Sequence, residues 1–263
     1  MTYATLMVHL ELGRPNTALL QVAADLAQRA GAAVTGFAAG QLNATGQNRA
    51  DLERDVAGAE AAFRQALRRH RGALAWRSSI SGQALPECIA HEAREAELLL
   101  TSVASGDVAD ATRSVNLADL VMLAKRPVLL VPDTATVPAL QRTVVAWKDT
   151  SESRRAVVDA LPLLKLAAHV AVVEVGAARE RDAAVARSEE IVAWLAQHGV
   201  PAQPWSTPTA GDEPSGLRVA VKEQRADAIV AGAYGPRRLR EWVLGAVTRD
   251  LLLRTNCCVL VSH

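Results

Sequence analysis

The sequence predicts an α/β protein made of two copies of one five-stranded unit. Short apolar runs alternate with longer amphipathic stretches along the chain, which is the pattern of strands joined through helices. Similar segments recur about 130 residues apart: Glu97-Leu-Leu-Leu corresponds to Asp227-Ala-Ile-Val, and Val128-Leu-Leu-Val corresponds to Cys258-Val-Leu-Val. Because crossover connections are right-handed, we expect each copy to form a mainly parallel sheet with helices on both faces.

The first copy contains five apolar runs and four stretches with helical periodicity. Leu19, Ala23 and Leu26 lie on one face of the first helix, and Gly31 is placed to end it. The charges of the second helix are interpreted as its solvated side. The predicted strands are 6–10, 33–39, 74–80, 98–103 and 128–131, and the predicted helices are 17–30, 47–70, 85–95 and 112–125.

A segment with two prolines and no helical periodicity, 132–141, marks the boundary between the copies. We therefore predict a domain over 1–132, a linker over 133–141 and a second domain over 142–263. Ser151 and Ser153 are candidates to cap the first helix of the second domain. Its predicted strands are 143–147, 170–175, 202–206, 228–231 and 257–261, and its predicted helices are 153–167, 182–197 and 216–225.

Composition excludes several classes of protein. Half of the 263 residues are hydrophobic and the net charge is +1, so nothing indicates a broad surface for nucleic acid or membrane. No apolar run is long enough to span a bilayer and no signal peptide is recognisable, so we expect a cytoplasmic protein. The three cysteines are interpreted as buried, reduced thiols. The six histidines are scattered and predict no metal site.

A glycine-rich segment follows the predicted strand 228–231. Gly232, Gly235 and Gly245 would let backbone N–H groups approach an anion without a Cβ in the way. A helix beginning near Gly245 would direct its N-terminal N–H groups at the same anion, and Arg237, Arg238 and Arg240 add positive charge. The pattern predicts a phosphate-binding loop, and the alternative is a connecting loop whose glycines only allow turns.

This segment resembles the ATP-binding motif of the universal stress proteins. The spacing Gly232-x2-Gly235-x9-Gly245 falls between a fourth and a fifth strand, and 144–164 resembles the family's opening strand and first helix. The segment LREWVLGAVTRDLL and the terminal VLVSH resemble the bacterial tandem-domain branch. The resemblance covers both halves and is stronger in the second. It implies two Rossmann-like or flavodoxin-like domains that pair as a pseudo-dimer within one chain, with homodimerisation as a further possibility.

The sequence departs from the family motif at two points. Gly245 is followed by Ala246 where the family usually has Ser or Thr, although the N–H groups of Ala246 and Val247 and the hydroxyl of Thr248 remain. The usual Asp at the end of the first strand is replaced by Lys148, and Asp149 follows it. The candidate nucleotide-binding residues are Gly232, Gly235, Arg237, Arg238, Gly245, Ala246, Val247, Thr248, Lys148, Asp149 and Val175.

The first half is predicted to bind no nucleotide. Its corresponding loop, 102–116, contains one glycine, Gly106, and the carboxylates Asp107 and Asp110, which would repel a polyphosphate. Arg113 alone would hardly reverse that repulsion.

The expected function is that of a non-enzymatic stress-response protein. The resemblance implies that it binds ATP or another adenine nucleotide, with Mg²⁺ as a candidate companion ion, in the carboxyl-terminal domain and regulates an unidentified protein partner. An interaction protein of the same fold without nucleotide is one alternative, and a slow ATPase is another. No catalytic residues are predicted, since no nucleophile elbow, P-loop lysine or acid–base pair is recognisable.

Overall fold

A computed structural model describes residues 2–103, 110–176, 181–208, 213–232 and 257–262. The chain divides into two compact units, Thr2–Pro138 and Ala139–His263. Each unit is a parallel sheet flanked by helices, as the sequence predicts.

The amino-terminal unit orders its strands β3-β2-β1-β4-β5, and all of its described pairings are parallel. The direction of strand addition reverses between β1 and β4. The strands are β1 (Thr5–His9), β2 (Ala33–Gln41), β3 (Leu74–Ser81), β4 (Leu98–Val103) and β5 (Val128–Pro132). The helices are α1 (Thr17–Ala30), α2 (Arg49–Ala66), α3 (Leu85–Glu92) with a 3-10 turn at Ala93–Glu95, and α4 (Leu117–Ala124).

The carboxyl-terminal unit repeats this topology with the strand order β10-β9-β6-β7-β8. Here the direction of strand addition reverses between β6 and β9. The strands are β6 (Arg142–Ala146), β7 (His169–Gly176), β8 (Ala202–Pro208), β9 (Ala228–Gly232) and β10 (Cys258–Ser262). The described helices are α5 (Ser151–Leu164), α6 (Arg181–Gln197) and α7 (Glu213–Glu223).

The central strands of each unit form its core. Every residue of β4, β5 and β10 is buried, because a parallel sheet is covered by helices on both faces. Cys88, Cys257 and Cys258 are all buried, as expected from the sequence. Within the part of the chain that the structure describes, no helix is long and apolar enough to cross a membrane.

The helix α1 spans the predicted residues 17–30 and shows why that prediction succeeded. Its apolar face is buried from Ala18 to Ala27. Gly31 ends it in the left-handed conformation, with φ at 67°, and donates its N–H to the carbonyl of Ala27. A periodic apolar face followed by a glycine is therefore sufficient to define this helix.

The prediction of a helix over 112–125 is wrong in its first turn. The helix α4 begins at Leu117, and Asn116 caps it by accepting N–H groups from Ala118 and Asp119 at 3.0 and 3.3 Å. Thr112 instead lies in a turn, since its N–H and hydroxyl both donate to the Asp110 carboxylate, at 2.9 and 2.8 Å. An aspartate that bonds the backbone two residues later favours a turn over a helix.

The capping residue of α5 also differs from the prediction. The helix begins at Ser151, and Thr150 is its N-cap. The Oγ1 of Thr150 accepts the N–H of Ser153 at 3.2 Å. Neither Ser151 nor Ser153 is the cap, because both already lie within the first turn.

Candidate functional site

The candidate residues that the structure describes, Lys148, Asp149, Val175 and Gly232, lie at the edge of the carboxyl-terminal sheet where its strand order reverses. In the parallel pairing, Ala146 of β6 lies opposite Ala231 of β9 and Val173 of β7. Lys148 and Asp149 therefore follow β6 beside Gly232, the last residue of β9. Val175 is the next-to-last residue of β7 at the same edge. We call this edge the carboxyl crevice, and such a reversal point is where open α/β sheets bind ligands.

Gly232 brings the end of β9 against the first turn of α5. A Cβ built on Gly232 would lie 2.6 Å from the carbonyl carbon of Glu152 and 2.7 Å from the nitrogen of Ser153. No real Cβ makes such contacts with backbone atoms, so only glycine fits at this position. The strand end thereby approaches a helix N-terminus, where backbone N–H groups and the helix dipole favour an anion.

Asp149 is held by an arginine that the sequence analysis did not single out. Its Oδ1 accepts from Nε and Nη2 of Arg154 at 2.8 and 2.7 Å, and both side chains are exposed. Exposed ion pairs contribute only about 0–1 kcal/mol, so a ligand could replace this pairing at little cost. The sequence could have predicted this ion pair, since Arg154 lies five residues after Asp149, in the first turn of the helix predicted over 153–167.

Lys148 and Val175 occupy different surroundings. The side chain of Lys148 is exposed, and its carbonyl accepts the N–H of Thr150 at 2.7 Å. Val175 is half-buried and lies opposite Thr207 of β8. The structure thus places a cation where the family motif has an acid, which suits a phosphate better than a ribose hydroxyl.

Most of the predicted phosphate-binding loop lies outside the described residues. These candidates are Gly235, Arg237, Arg238, Gly245, Ala246, Val247 and Thr248. Their role stays a prediction from the sequence.

The amino-terminal unit has a corresponding edge, after β1 and β4, that is occupied by its own ion pairs. The Nη1 of Arg14 donates to the buried carboxylate of Glu11 at 2.9 Å, and Arg14 also pairs with Asp133. The other pairs centre on Arg113, which donates to Asp55 at 2.8 Å and to Asp110 at 2.5 Å. We call this edge the amino crevice. These ion pairs among its described residues comprise four carboxylates and two guanidinium groups, a net charge of −2.

Arg113 also fills space in the amino crevice. A Cβ built on Gly13, in the loop after β1, would lie 3.1 Å from Cδ of Arg113. The neighbouring Thr112 is tied to the end of β2, because its carbonyl accepts the N–H of Gln41 at 2.8 Å. The segment from Asp110 to Arg113 therefore covers the loop that would have to receive a ligand in this unit.

Two groups of the amino crevice, Asp110 and Arg113, are held in their charged forms by their neighbours. Hydrogen bonds from the backbone and hydroxyl of Thr112, and the guanidinium of Arg113, hold the pKa of Asp110 below its usual range. Hydrogen bonds to Asp55 and Asp110 raise the pKa of Arg113. The sequence predicted the repulsion of an anion here, but it did not identify Asp55, Glu11 and Asp133 as contributors.

One buried histidine lies at the end of β1. His9 is fully buried, and its Nδ1 is 2.9 Å from Oγ1 of Thr101 on the adjacent strand β4. Burial lowers the pKa of His9 to about 4, so the ring is neutral at physiological pH. Groups of His, Cys, Asp and Glu that could hold a metal ion are absent from the described ranges.

Comparisons with known proteins identify the fold. No protein-family model matches the sequence, and no curated protein matches it significantly. A universal stress protein from Archaeoglobus fulgidus DSM 4304 superposes with a TM-score of 0.76 at 12% identity, covering 98% of each chain. A protein of unknown function from Pseudomonas aeruginosa PAO1 superposes with a TM-score of 0.65 at 15% identity, covering 99% of this chain and 92% of that one.

Proposed function

We propose that this chain, whose fold is that of a tandem universal stress protein, is a universal stress protein that binds an adenine nucleotide in its carboxyl crevice. The ligand in this proposal is ATP, with Mg²⁺ as a companion ion. The protein is not an enzyme in this proposal: it changes the behaviour of a partner according to whether nucleotide is bound. It works in the cytoplasm.

The observation that carries the proposal is the approach of Gly232 to the first turn of α5. This contact lies at the reversal of strand order, where β6 and β9 end side by side. Gly235 and Gly245 follow Gly232 in the sequence and complete the glycine spacing of the predicted phosphate-binding loop. A bare backbone beside a helix N-terminus is suited to a phosphate group.

The charge at the carboxyl crevice supports a polyphosphate ligand. Lys148 is exposed at the end of the first strand of the unit, and Arg237 and Arg238 follow Gly235 in the sequence. The carboxylate of Asp149 is neutralised by Arg154. Because Lys148, Arg237 and Arg238 are cations suited to phosphate groups, we expect affinity to rise with the number of phosphates on the nucleotide.

The amino crevice supports the proposal that only the carboxyl-terminal unit binds nucleotide. Its cluster of ion pairs carries a net charge of −2, and Arg113 occupies the space above Gly13. A nucleotide there would have to displace Arg113 and then face four carboxylates. The proposed stoichiometry is therefore one nucleotide per chain.

Calorimetric titration with ATP and Mg²⁺ tests the proposal. We expect saturable binding with a stoichiometry of one, lost in Gly245→Val because a side chain would occupy the phosphate position. The matched control is Gly106→Val in the first half, which should bind as the unmodified chain does. Heat denaturation of each variant would establish that it is folded.

Three results would contradict the proposal. Absence of binding and of thermal stabilisation at millimolar ATP would favour an interaction protein without nucleotide, since a bound ligand must raise stability. Loss of binding in Gly106→Val, with binding retained in Gly245→Val, would place the site in the amino-terminal unit. Release of phosphate that depends on Gly245 would contradict the non-enzymatic role.

A further inference from the structure

The outer edge of the amino-terminal sheet runs along β3. Among the described strands, β3 pairs only with β2. The carbonyl of Ala73 accepts the N–H of Val34 at 2.9 Å, and alternate residues of a parallel strand bond its neighbour, so the odd-numbered residues of β3 face β2. The backbone N–H and C=O groups of Trp76, Ser78 and Ile80 therefore point away from β2. We call this side of β3 the open edge.

The corresponding edge of the carboxyl-terminal sheet is interrupted by a proline. There β8 is the outer strand, and its third residue is Pro204, where β3 has Trp76. A proline has no N–H to donate, so it hinders the addition of a further strand. The strand β3 contains no proline. Of these two outer strands, only β3 offers an uninterrupted row of backbone donors and acceptors.

Three exposed arginines lie at the amino end of β3. Arg68, Arg69 and Arg71 belong to the connection between α2 and β3, and Arg71 is three residues before Leu74. Every arginine within α2 pairs with an acid of its own helix. The side chains of these three, which we call the arginine cluster, pair with no carboxylate among the described residues. Their positive charge is therefore available to a partner.

The charge on β3 itself is already balanced. Arg77 is exposed, but its Nη1 and Nη2 lie 3.1 and 3.0 Å from carboxylate oxygens of Glu92 and Glu95. These acids lie in α3 and in the turn that follows it, so they hold Arg77 toward that helix. Charged side chains on an outer strand normally discourage pairing with another chain. Here the strand's one charge is engaged within its own unit.

An extended peptide matches these features better than a nucleic acid does. A row of outward N–H and C=O groups is complementary to the backbone of another strand. Surfaces for single-stranded nucleic acid instead combine basic residues with aromatic side chains on which bases stack. The aromatic residue of β3, Trp76, is half-buried and packs on Phe63, with ring centroids 5.5 Å apart. The arginine cluster then selects a peptide with acidic residues at the end that lies beside it.

We propose that the open edge and the arginine cluster together bind an extended acidic segment of a partner protein, which adds to the sheet as a further strand. Main-chain hydrogen bonds to Trp76, Ser78 and Ile80 supply affinity, and carboxylates beside the arginine cluster supply selectivity. The cluster lies at the amino end of β3, whereas both crevices lie at the carboxyl ends of strands. This surface is independent of nucleotide binding.

Fluorescence anisotropy with a labelled acidic peptide tests the proposal. The probe is EEETVTVTVEEE, blocked at both termini; its centre favours a strand, and its two acidic ends suit either strand direction. We expect saturable binding that weakens as the salt concentration rises, because part of the attraction is between exposed charges. The lysine counterpart KKKTVTVTVKKK should not bind, and saturating ATP should leave the affinity for the acidic peptide unchanged.

Hydrogen exchange of backbone amides tests the strand addition itself. In the free chain, the amides of Trp76, Ser78 and Ile80 should exchange faster than those of Arg77 and Ser79, which face β2. Saturating acidic peptide should slow the first group several-fold or more and leave the second nearly unchanged. Attraction between charges alone would not produce this alternation along the strand.

Two pairs of exposed arginines provide matched variants for the cluster. Arg68→Gln combined with Arg69→Gln should weaken peptide binding about fivefold or more, because two unpaired charges are lost. Arg49→Gln combined with Arg54→Gln removes two charges from the other end of α2 and should leave binding within about twofold. All four side chains are exposed, so neither double substitution disturbs the core.

Substitutions at Ser78 test the open edge separately from the cluster. Ser78→Pro removes an outward N–H and should abolish binding of the acidic peptide, whereas Ser78→Thr keeps the N–H and should bind as the unmodified chain does. Heat denaturation establishes that each variant is folded. If Ser78→Pro does not fold, hydrogen exchange in the unmodified chain decides the question.

Several outcomes would overturn the proposal. Absence of binding at low salt, or equal binding of the lysine peptide, would exclude an acidic partner. Tighter binding of single-stranded oligothymidylate, in competition with the acidic peptide, would make this a nucleic-acid surface. Binding that survives in folded Ser78→Pro, or that leaves the outward amides unprotected, would exclude strand addition. Protection of those amides that grows with protein concentration alone would make the occupant a second copy of the chain. Failure of ATP to bind would alter none of these expectations.

Discussion

Arg142 and Asp227 exchange two opposite hydrogen bonds at the start of the carboxyl-terminal sheet. The N–H of Arg142 donates to the Asp227 carboxylate at 2.9 Å, and the N–H of Asp227 donates to the Arg142 carbonyl at 3.0 Å. In the amino-terminal unit, Glu97 and Thr5 make the same pair at 3.4 and 3.0 Å. The acid before each fourth strand therefore fixes the start of each first strand, which explains why these acids recur in the two halves of the sequence.

Asp227→Ala should destabilise the carboxyl-terminal unit by about 1.5–3 kcal/mol. The substitution removes a charged acceptor from the backbone N–H groups of Gln141 and Arg142, which bond it at 2.9–3.0 Å. Glu97→Ala should cost less, because Glu97 is exposed and water can replace it. Urea denaturation measures both changes. Asp227→Asn, which keeps one acceptor oxygen, is the control, and a loss in Asp227→Ala no larger than in Glu97→Ala would contradict this account.

Gly232→Ala should destabilise the chain even when no ligand is present. Its Cβ would meet the backbone of Glu152 and Ser153 at 2.6–2.8 Å, and backbone in a helix cannot move aside as a flexible side chain can. Forced overpacking costs about 1–3 kcal/mol. The expected change is a lower midpoint in thermal and urea denaturation.

Gly58→Ala is the matched control for this prediction. Gly58 lies within α2, and a Cβ there would meet nothing within 4 Å. Alanine should therefore stabilise the helix by about 0.5–1 kcal/mol. If Gly232→Ala were as stable as the unmodified chain, the close contact between β9 and α5 would be disproved.

The sequence predicts the fold well because its local signals agree with the tertiary structure. The helix α1 is defined by a periodic apolar face and by Gly31, and β5 is a continuous apolar run from Val128 to Val131, which is typical of a strand covered on both faces. The recurrence of Glu97 and Asp227 reflects a shared structural role. These features depend on residues close together in sequence.

The errors arise where side-chain contacts decide the local structure. The first turn of the helix predicted over 112–125 is lost to Asp110, while Arg113 is engaged by Asp55, which lies 58 positions earlier. The same limitation hid the pairing of Arg14 with Asp133, which lies 119 positions later in the chain. Spacing along the chain does not reveal such contacts.

Acidification should destabilise the amino-terminal unit through His9. Burial lowers its pKa from 6.5 to about 4, so the folded chain keeps this ring neutral. As the pH falls from about 6.5 to 4, the unfolded chain takes up a proton here and the folded chain does not, so stability decreases across that window. Each pKa unit corresponds to 1.36 kcal/mol, which gives a loss of roughly 3 kcal/mol.

The measurement for His9 is urea denaturation between pH 7 and pH 4, compared with His9→Gln. Glutamine can still bond Oγ1 of Thr101 but does not titrate in this range. As the pH falls, the unfolding free energy of the unmodified chain should decrease more than that of His9→Gln. A difference that stays constant with pH would show that burial of His9 does not control its protonation.

Ala246→Ser should tighten ATP binding. The family motif usually has a hydroxyl immediately after the last glycine, and this chain has a methyl group there. A hydrogen bond to a charged phosphate contributes about 1.5–3 kcal/mol, so restoring it should lower the dissociation constant roughly tenfold or more. Calorimetric titration with ATP and Mg²⁺ measures the change. Ala196→Ser, on the exposed face of α6, is the control and should leave affinity unaltered.

The outcome for Ala246→Ser also reports on Thr248. If this threonine already supplies a hydroxyl to the phosphate, Thr248→Ala should weaken binding in the unmodified chain and weaken it less in Ala246→Ser, because the new serine would replace the lost bond. Independent effects of the two substitutions would instead mean that they contact different oxygens. If neither substitution changes the dissociation constant, hydroxyl groups after Gly245 do not contact the nucleotide, and the backbone N–H groups with Arg237 and Arg238 must account for the affinity.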